Sequence, residues 1–378
     1  MGKSDELAQI LAQHRRWLAS AKQNGKRADL SGANLNGINF SGADLSGALM
    51  QGASLKKANL SEVQLIHADL RDANLQEANL ARANLLLADF TGADLRKADL
   101  SSVTSSSDKV LGEMRRGPRF KDADLQHANL SQAYCYLSDF SGANLSNAVL
   151  SGATLERANL SHNDLSGIDL VDANLLNASL HGSDLSNADL SDADLGHADL
   201  QSAKLSDADV SGASLRSANL ADAQVERICY DRGTLFRGIR VSSCYGSSRF
   251  RRFAQDQDFI EEFKESHVYA YYLWLGLTDC GRSMLRAVWW SIGLVLTFGF
   301  IFYALGEDAF DITHKETLGW SFYTSIYYSV VTFTTLGFGD ITPRTPLAAT
   351  IVMIEVVVGY FMLGILISIL ATKVARRS

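Results

Sequence analysis

The sequence predicts a two-part membrane protein. A four-sided β-coil is followed by a helical domain with two bilayer spans and a loop that enters the membrane half way. Three observations predict this. Leucine, or a close substitute, recurs at every fifth residue across residues 28–227. Two long apolar runs lie near the C-terminal end. Between them stands a shorter apolar stretch that ends in TTLGFGD, residues 334–340.

The five-residue period is unbroken from Leu30 through Leu35, Phe40, Leu45, Met50, Leu55 and Leu60 to Leu100. It resumes at Leu125 and continues to Val225, with Cys135 as one odd occupant. Two residues before each of these stands a small residue, most often alanine (Ala28, Ala33, Ala43, Ala53, Ala58). A period of five fits neither a helix nor a flat strand. It fits a chain that turns a corner every five residues, four sides completing one turn. Leucine then points inward, alanine fills the narrower inward place beside it, and Asp, Asn, Ser and Gly take the corners. Stacked turns pair backbone to backbone, with leucine upon leucine down the axis.

These residues follow the pattern A(D/N)LXX and resemble the pentapeptide-repeat family. The resemblance covers residues 28–227 and implies a right-handed quadrilateral β-helix of about ten turns, roughly 48 Å long. Residues 101–120, SSVTSSSDKVLGEMRRGPRF, break the pattern. Their length equals one turn, so a distorted turn or surface loop carrying Arg115, Arg116, Pro118 and Arg119 is expected. A solenoid must be covered at its ends. Residues 1–27 supply the N-terminal helical cap, with Leu7, Ile10, Leu11, Trp17 and Leu18 at amphipathic spacing.

The composition excludes several functions. The 378 residues carry a net charge of -7, which gives general nucleic-acid binding no electrostatic support. Cys135, Cys229, Cys244 and Cys280 form no CxxC pair, so neither zinc nor a disulfide framework is indicated, and free thiols in a reducing compartment are expected. The N-terminal MGKSDELAQI lacks the apolar core of a signal peptide, so targeting falls to the internal spans. Neither a glycine-rich phosphate loop nor a catalytic constellation is visible, so neither enzyme activity nor a cofactor is expected. His14, His67, His127, His162, His181 and His197 are expected at the surface.

Residues 287–305 contain no charge, and as a helix span roughly 28 Å, close to the thickness of a bilayer core. Trp289 and Trp290 stand near the start, as interface anchors do. The second run, 347–371, is interrupted only by Glu355. Arg249, Arg251, Arg252, Arg282 and Arg286 precede the first span, and Lys373, Arg376 and Arg377 follow the second. The loop between holds Glu307, Asp308, Asp311, Glu316 and Asp340 against Lys315 and Arg344. The positive-inside rule therefore places both termini and the solenoid in the cytoplasm, and the acidic outer loop concentrates cations. Residues 228–283 are expected to link the two parts. Phe253, Phe259, Ile260, Phe263 and Val268 suggest an amphipathic helix there, as a linker or a gating coupler.

Residues 318–333 are apolar for long enough to enter a bilayer but too briefly to cross it. The return path needs irregular backbone, which is tolerated at that depth only along a watery path or within protein. Gly337 and Gly339 open conformations closed to other residues, and the negative end of the half-helix favours a cation.

This order of span, half-helix, TTLGFGD and span resembles the pore module of potassium channels, over residues 284–375. The resemblance implies a filter of Thr335, Leu336, Gly337, Phe338 and Gly339. K⁺ would be held at Thr335, Leu336, Gly337 and Phe338 by carbonyls and the Thr335 hydroxyl. Thr334 and Asp340 support the filter, and Tyr327 and Tyr328 stand where the family often has paired tryptophans. Leu336 replaces the usual valine and Phe338 the usual tyrosine, so the hydroxyl contact of that tyrosine is lost. One pore loop per chain implies a homotetramer. Gly359 falls at a hinge position, and Leu363 and Ile367 form a hydrophobic constriction of the inner pore. Glu355, costly in a membrane, is expected to face the half-helix as a protonated brace behind the filter. A cavity charge and a proton sensor are its alternatives.

The function implied is passive K⁺ conduction across a bacterial inner membrane, with a regulatory or scaffolding solenoid that engages a cytoplasmic protein. The rivals are a non-selective cation channel and a membrane-tethered scaffold or DNA mimic built on Asp184, Asp189, Asp194 and Asp199.

Overall fold

The computed structural model describes residues 3–105, 116–313 and 319–375. Two compact units divide the chain after Glu261.

In the first unit, residues 28–245 form the solenoid. Parallel bridges join Asp29 to Leu49, Asn34 to Ser54, Asn39 to Asn59 and Asp44 to Gln64, so one turn takes twenty residues, or four pentapeptides. Leu30 N–H donates to the Leu49 carbonyl at 2.7 Å, and Leu49 N–H donates to the Ala28 carbonyl at 2.9 Å. The leucine and alanine columns are buried, except that Ala33 and Ala43 of the first turn are half-buried. In one column, Phe90 stacks on Phe120 at 5.1 Å and Phe120 on Phe140 at 4.8 Å. Burial of Cys135 among these columns pushes its thiol up to about 12.

The corners differ from expectation. Asp and Asn stand on the sides, directly before the inward leucine, and the side chain reaches over it. Asp44 Oδ1 accepts from Ser46 N–H, and Asp189 Oδ1 from Ser191 N–H, both at 3.0 Å. This Asx geometry starts each corner locally. The corner itself is left-handed at its second residue, glycine in the first turn (Gly32, Gly37, Gly42, Gly47) and residues such as Lys57, Glu62 and His67 in later ones.

The interruption at 101–120 is also different. The bridge spacing is twenty at Asn84–Thr104 and thirty at Asp89–Arg119. Residues 101–105 and 116–120 therefore make regular sides, and the insertion is ten residues at one corner, not a whole turn. Those ten, Arg115 among them, lie outside the described residues. Arg119 pairs with Asp89 at 3.6 Å.

The solenoid runs past its expected bound at 227 to Tyr245, with one extra residue that lengthens the bridge spacing to twenty-one at Ser214–Leu235. Asp231 absorbs it, accepting from the Gly212, Gly233 and Thr234 N–H groups, which hold its carboxyl below the usual range.

Helices close both ends. At the first, α1 (Lys3–Ala19) packs Leu7, Ile10 and Leu11 on the core. His14 is buried here, contrary to its expected place on the surface. Its Nδ1 accepts the Ala28 N–H at 3.1 Å, and its ring stacks on Trp17. That bond needs an unprotonated Nδ1, and burial lowers the pKa of the ring. A lowered histidine pKa means that the docked helix resists a proton which the freed helix accepts. Docking is therefore at full strength above about pH 6.5 and weakens as pH falls below it. Hydrogen exchange across residues 20–32 should lose protection below that pH, and His14→Ala should remove the pH dependence.

At the other end lies α2 (Ser248–Ser266), with Phe250 buried against Tyr230 and Phe236. Phe236 and Gly238 hold N–H groups that a further turn would have taken. Instead Glu261 Oε1 accepts from Phe236 N–H and Asp258 Oδ1 from Gly238 N–H, each at 2.7 Å. Two carboxylates thus stand in for the missing turn and satisfy the open edge. The amphipathic face expected here is revised. Phe250 anchors the helix and Phe253 packs beside it on Tyr230 and Phe236, as expected of Phe253, but Phe259 remains exposed and Val268 begins another helix, α3 (Val268–Thr278).

In the second unit, α3 is followed by α4 (Met284–Leu305), α5 (Phe322–Phe333) and α6 (Pro346–Ala375). Helices α4 and α6 are long and apolar enough to cross a membrane, while the twelve residues of α5 reach about 18 Å. Ser283 caps α4 and Ser321 caps α5 through their side-chain oxygens. Gly299 lets α4 approach Ile326 of α5 closely, since an added Cβ would lie 3.1 Å from the Ile326 Cα. Beyond α4, β1 (Phe310–Ile312) pairs antiparallel with β2 (Ile341–Pro343). Phe310 seats this ladder by stacking on Trp320 and meeting Phe302 and Tyr328 edge-on. The expected loop charges Lys315 and Glu316, and the terminal Arg376 and Arg377, lie outside the described residues, as does the side chain of Lys373.

Candidate ion-conduction site

Helix α5 ends at Phe333, and Thr334 closes it, its N–H donating to the Val330 carbonyl at 3.0 Å and its hydroxyl to the same oxygen at 2.6 Å. Thr335 then takes φ +59°, with Gly337 at +55° and Gly339 at +73°. An added Cβ at either glycine meets nothing within 4 Å, so glycine is favoured there by backbone angle and not by space. The left-handed Thr335 was not anticipated. A β-branched residue is strained in that region, and such strain gathers at functional sites. Its hydroxyl donates to the Thr334 carbonyl at 2.7 Å. Leu336 and Phe338 are 59% and 63% exposed in the single chain.

Asp340, just past the glycines, is fixed at three atoms. Tyr327 OH donates to Oδ2 at 2.7 Å, Ile341 N–H to Oδ1 at 3.1 Å, and Thr313 N–H to the main-chain carbonyl at 2.9 Å. Tyr328 is buried between Phe302 and Phe310.

Glu355 lies fully buried in α6 and meets Ser329 of α5 through Oε1. Ser329 Oγ also donates to the Val295 carbonyl of α4 at 2.9 Å. One hydrogen-bonded chain thus ties all three helices directly behind residues 334–340. Ser329 was missed in the sequence, although a serine on an otherwise apolar helix was a signal. Gly359 lets α6 approach the end of α5 closely, since an added Cβ would lie 2.2 Å from the Phe333 carbonyl oxygen. Below α5, an apolar cavity of about 500 Å³ is lined by Val295, Ile326, Phe333, Gly359, Leu363 and Leu366. Leu363 reaches it, and Leu363 and Ile367, one helical turn apart on α6, are both largely exposed in the single chain.

Residues 290–376 match the family model for an ion channel. Residues 26–62, 68–104, 119–157, 155–192 and 193–228 match pentapeptide repeats. The chain is a pentapeptide-repeat protein joined to an ion channel domain. Two-pore potassium channel 3 of Arabidopsis thaliana is 30% identical to this chain over 93 residues, 24% of this chain and 20% of that protein. Probable potassium channel protein 2 of Methanocaldococcus jannaschii is 35% identical over 81 residues, 21% of this chain and 20% of that protein. The chain therefore spans a fifth of the length of each of these relatives. The crystal structure of HetL, a pentapeptide repeat protein from Nostoc sp. strain PCC 7120, is 30% identical, covering 62% of this chain and 98% of that one with a TM-score of 0.30.

Proposed function

We propose that the pentapeptide-repeat channel conducts K⁺ passively through a homotetrameric filter built from Thr335, Leu336, Gly337, Phe338 and Gly339. The observation that carries this reading is the placement of residues 334–340. They leave the C-terminal end of a helix too short to cross a bilayer, between two that can cross it, with three left-handed residues in the stretch. In that setting main-chain carbonyls can replace the hydration shell of a cation, and the helix end favours positive charge. Thr334, Asp340 and Glu355 hold the stretch from behind, and Leu363 and Ile367 narrow the inner pore once four copies meet around an axis. The solenoid is right-handed and regulatory or scaffolding, engages a cytoplasmic protein, and lies with both termini on the cytoplasmic side of a bacterial inner membrane, as the flanking arginines favour.

Purified protein in liposomes, with K⁺ and Na⁺ on opposite sides, tests this. A reversal potential that follows K⁺ is expected. Currents carried equally by both ions would overturn selectivity and leave a non-selective cation channel, the reading favoured by the missing hydroxyl at Phe338. A chain from about residue 250 onward that conducts more than the whole protein would identify the solenoid as a restraint on the pore.

A further inference from the structure

The chain leaving the filter stretch is not a free loop. From 340 to 344 it is zipped onto residues 309–313. Beyond the pairs Ile312–Ile341, Asp311–Thr342 and Phe310–Pro343, the ladder gains Arg344 N–H to the Ala309 carbonyl and Thr313 N–H to the Asp340 carbonyl, both at 2.9 Å. The Thr313 hydroxyl lies 3.5 Å from the Gly339 carbonyl, the last oxygen of the proposed filter. The strand that makes these contacts is itself immobilised by Phe310 in the aromatic cluster.

Resting on the filter reading above, we infer that Thr313 is a positioning residue for ion selectivity, its main-chain N–H clamping the outer end of the filter through Asp340. Phe338 has no hydroxyl with which to tie the filter sideways into its surroundings, and its side chain is exposed in the single chain. Restraint must then come from the ends. Thr334 and the α5 terminus hold the inner end, and Asp340 holds the outer end. Tyr327 fixes the side chain of Asp340 but leaves its carbonyl to rotate. The Thr313 N–H removes that freedom, and with it the freedom of the adjoining Gly339 carbonyl. A backbone hydrogen bond of this kind has a modest net worth, but its loss is repeated four times around a tetrameric axis.

The test is to replace Thr313 by its α-hydroxy acid, which exchanges the one N–H for an ester oxygen and leaves the side chain intact. Thr313→Pro serves as an independent second variant. It removes the same donor at the end of a short ladder, where the extended residue before it already suits proline. Both are measured as full-length protein in liposomes, beside the unaltered channel. The expected result is a K⁺ over Na⁺ permeability ratio about tenfold lower, together with a current that decays faster and is restored by raising external K⁺. A general loss of stability would reduce the number of conducting channels and leave the ratio unchanged. Wild-type ratio and decay in the ester protein, with the unaltered channel K⁺-selective, would overturn the clamp. An unaltered channel without K⁺ selectivity would instead overturn the filter reading itself.

Discussion

Gly359→Ala is expected to abolish conduction. The methyl group would arrive 2.2 Å from the Phe333 carbonyl oxygen and 3.2 Å from the Phe333 Cα, both main-chain atoms that cannot swing aside. The overlap is relieved only if α6 moves away from the end of α5. Overpacking of this kind costs about 1–3 kcal/mol in ordinary cores. Here the displaced atom belongs to the residue directly before the stretch proposed as the filter, so the proposed ion path would move with it. Gly364→Ala is the control, because its added methyl meets nothing within 4 Å. The measurement is current per amount of reconstituted protein, together with recovery of the proposed tetramer after purification. A purely hinge-like role for Gly359 would leave recovery and unitary conductance intact and change only the fraction of time open. The packing role lowers conductance or recovery at least tenfold.

Glu355 gives the second large effect. Ser329 has a single hydroxyl proton, and the Val295 carbonyl takes it. The remaining contact, Glu355 Oε1 to Ser329 Oγ, then needs its proton from the acid. Glu355→Gln keeps a donor of the same reach and should stay within about twofold of the unaltered current. Glu355→Val removes the donor, leaves the Ser329 oxygen with an unused acceptor site, and should lower the current tenfold or more, in keeping with about 1–3 kcal/mol for a buried polar group left unpaired. Equal damage from Gln and Val would show that the negative charge, not the hydrogen bond, is what the site requires.

How much of this was legible in the residues depends on the range over which each feature acts. The period of five is a repeated local signal, and Leu30 to Val225 could be assigned inward without further help. The side-chain bonds that place Asp and Asn on the sides are also local, yet they carry no period that separates a side from a corner. Residues 101–120 misled because their length equals a full turn. Val103 and Phe120 still take inward places, and Ser105 stands where leucine would, so the ladder loses nothing and only ten residues leave it. His14 misled for a different reason. A histidine on an amphipathic helix reads as polar, and its burial depends on meeting the N–H of Ala28, fourteen residues away.

In the channel domain, TTLGFGD and the flanking runs marked the site, because glycine and charge are conspicuous in apolar sequence. Thr313 and Ser329 were not legible as filter supports. Thr313 lies twenty-seven positions from Asp340, and Ser329 twenty-six from Glu355, with no periodicity to connect either pair.

The twenty-residue repeat distance of the solenoid also fixes a heading. Because four pentapeptides close a turn, the side on which the chain leaves the solenoid depends on the number of pentapeptides counted modulo four. Loss of one pentapeptide would swing the departure of α2 by a quarter turn. Loss of four would restore the same compass bearing and shorten the stack by roughly 4.8 Å. The ten residues inserted at one corner change neither quantity, since the ladder resumes on the next side as though they were absent. The solenoid therefore works as an angular index, set by how many sides it contains.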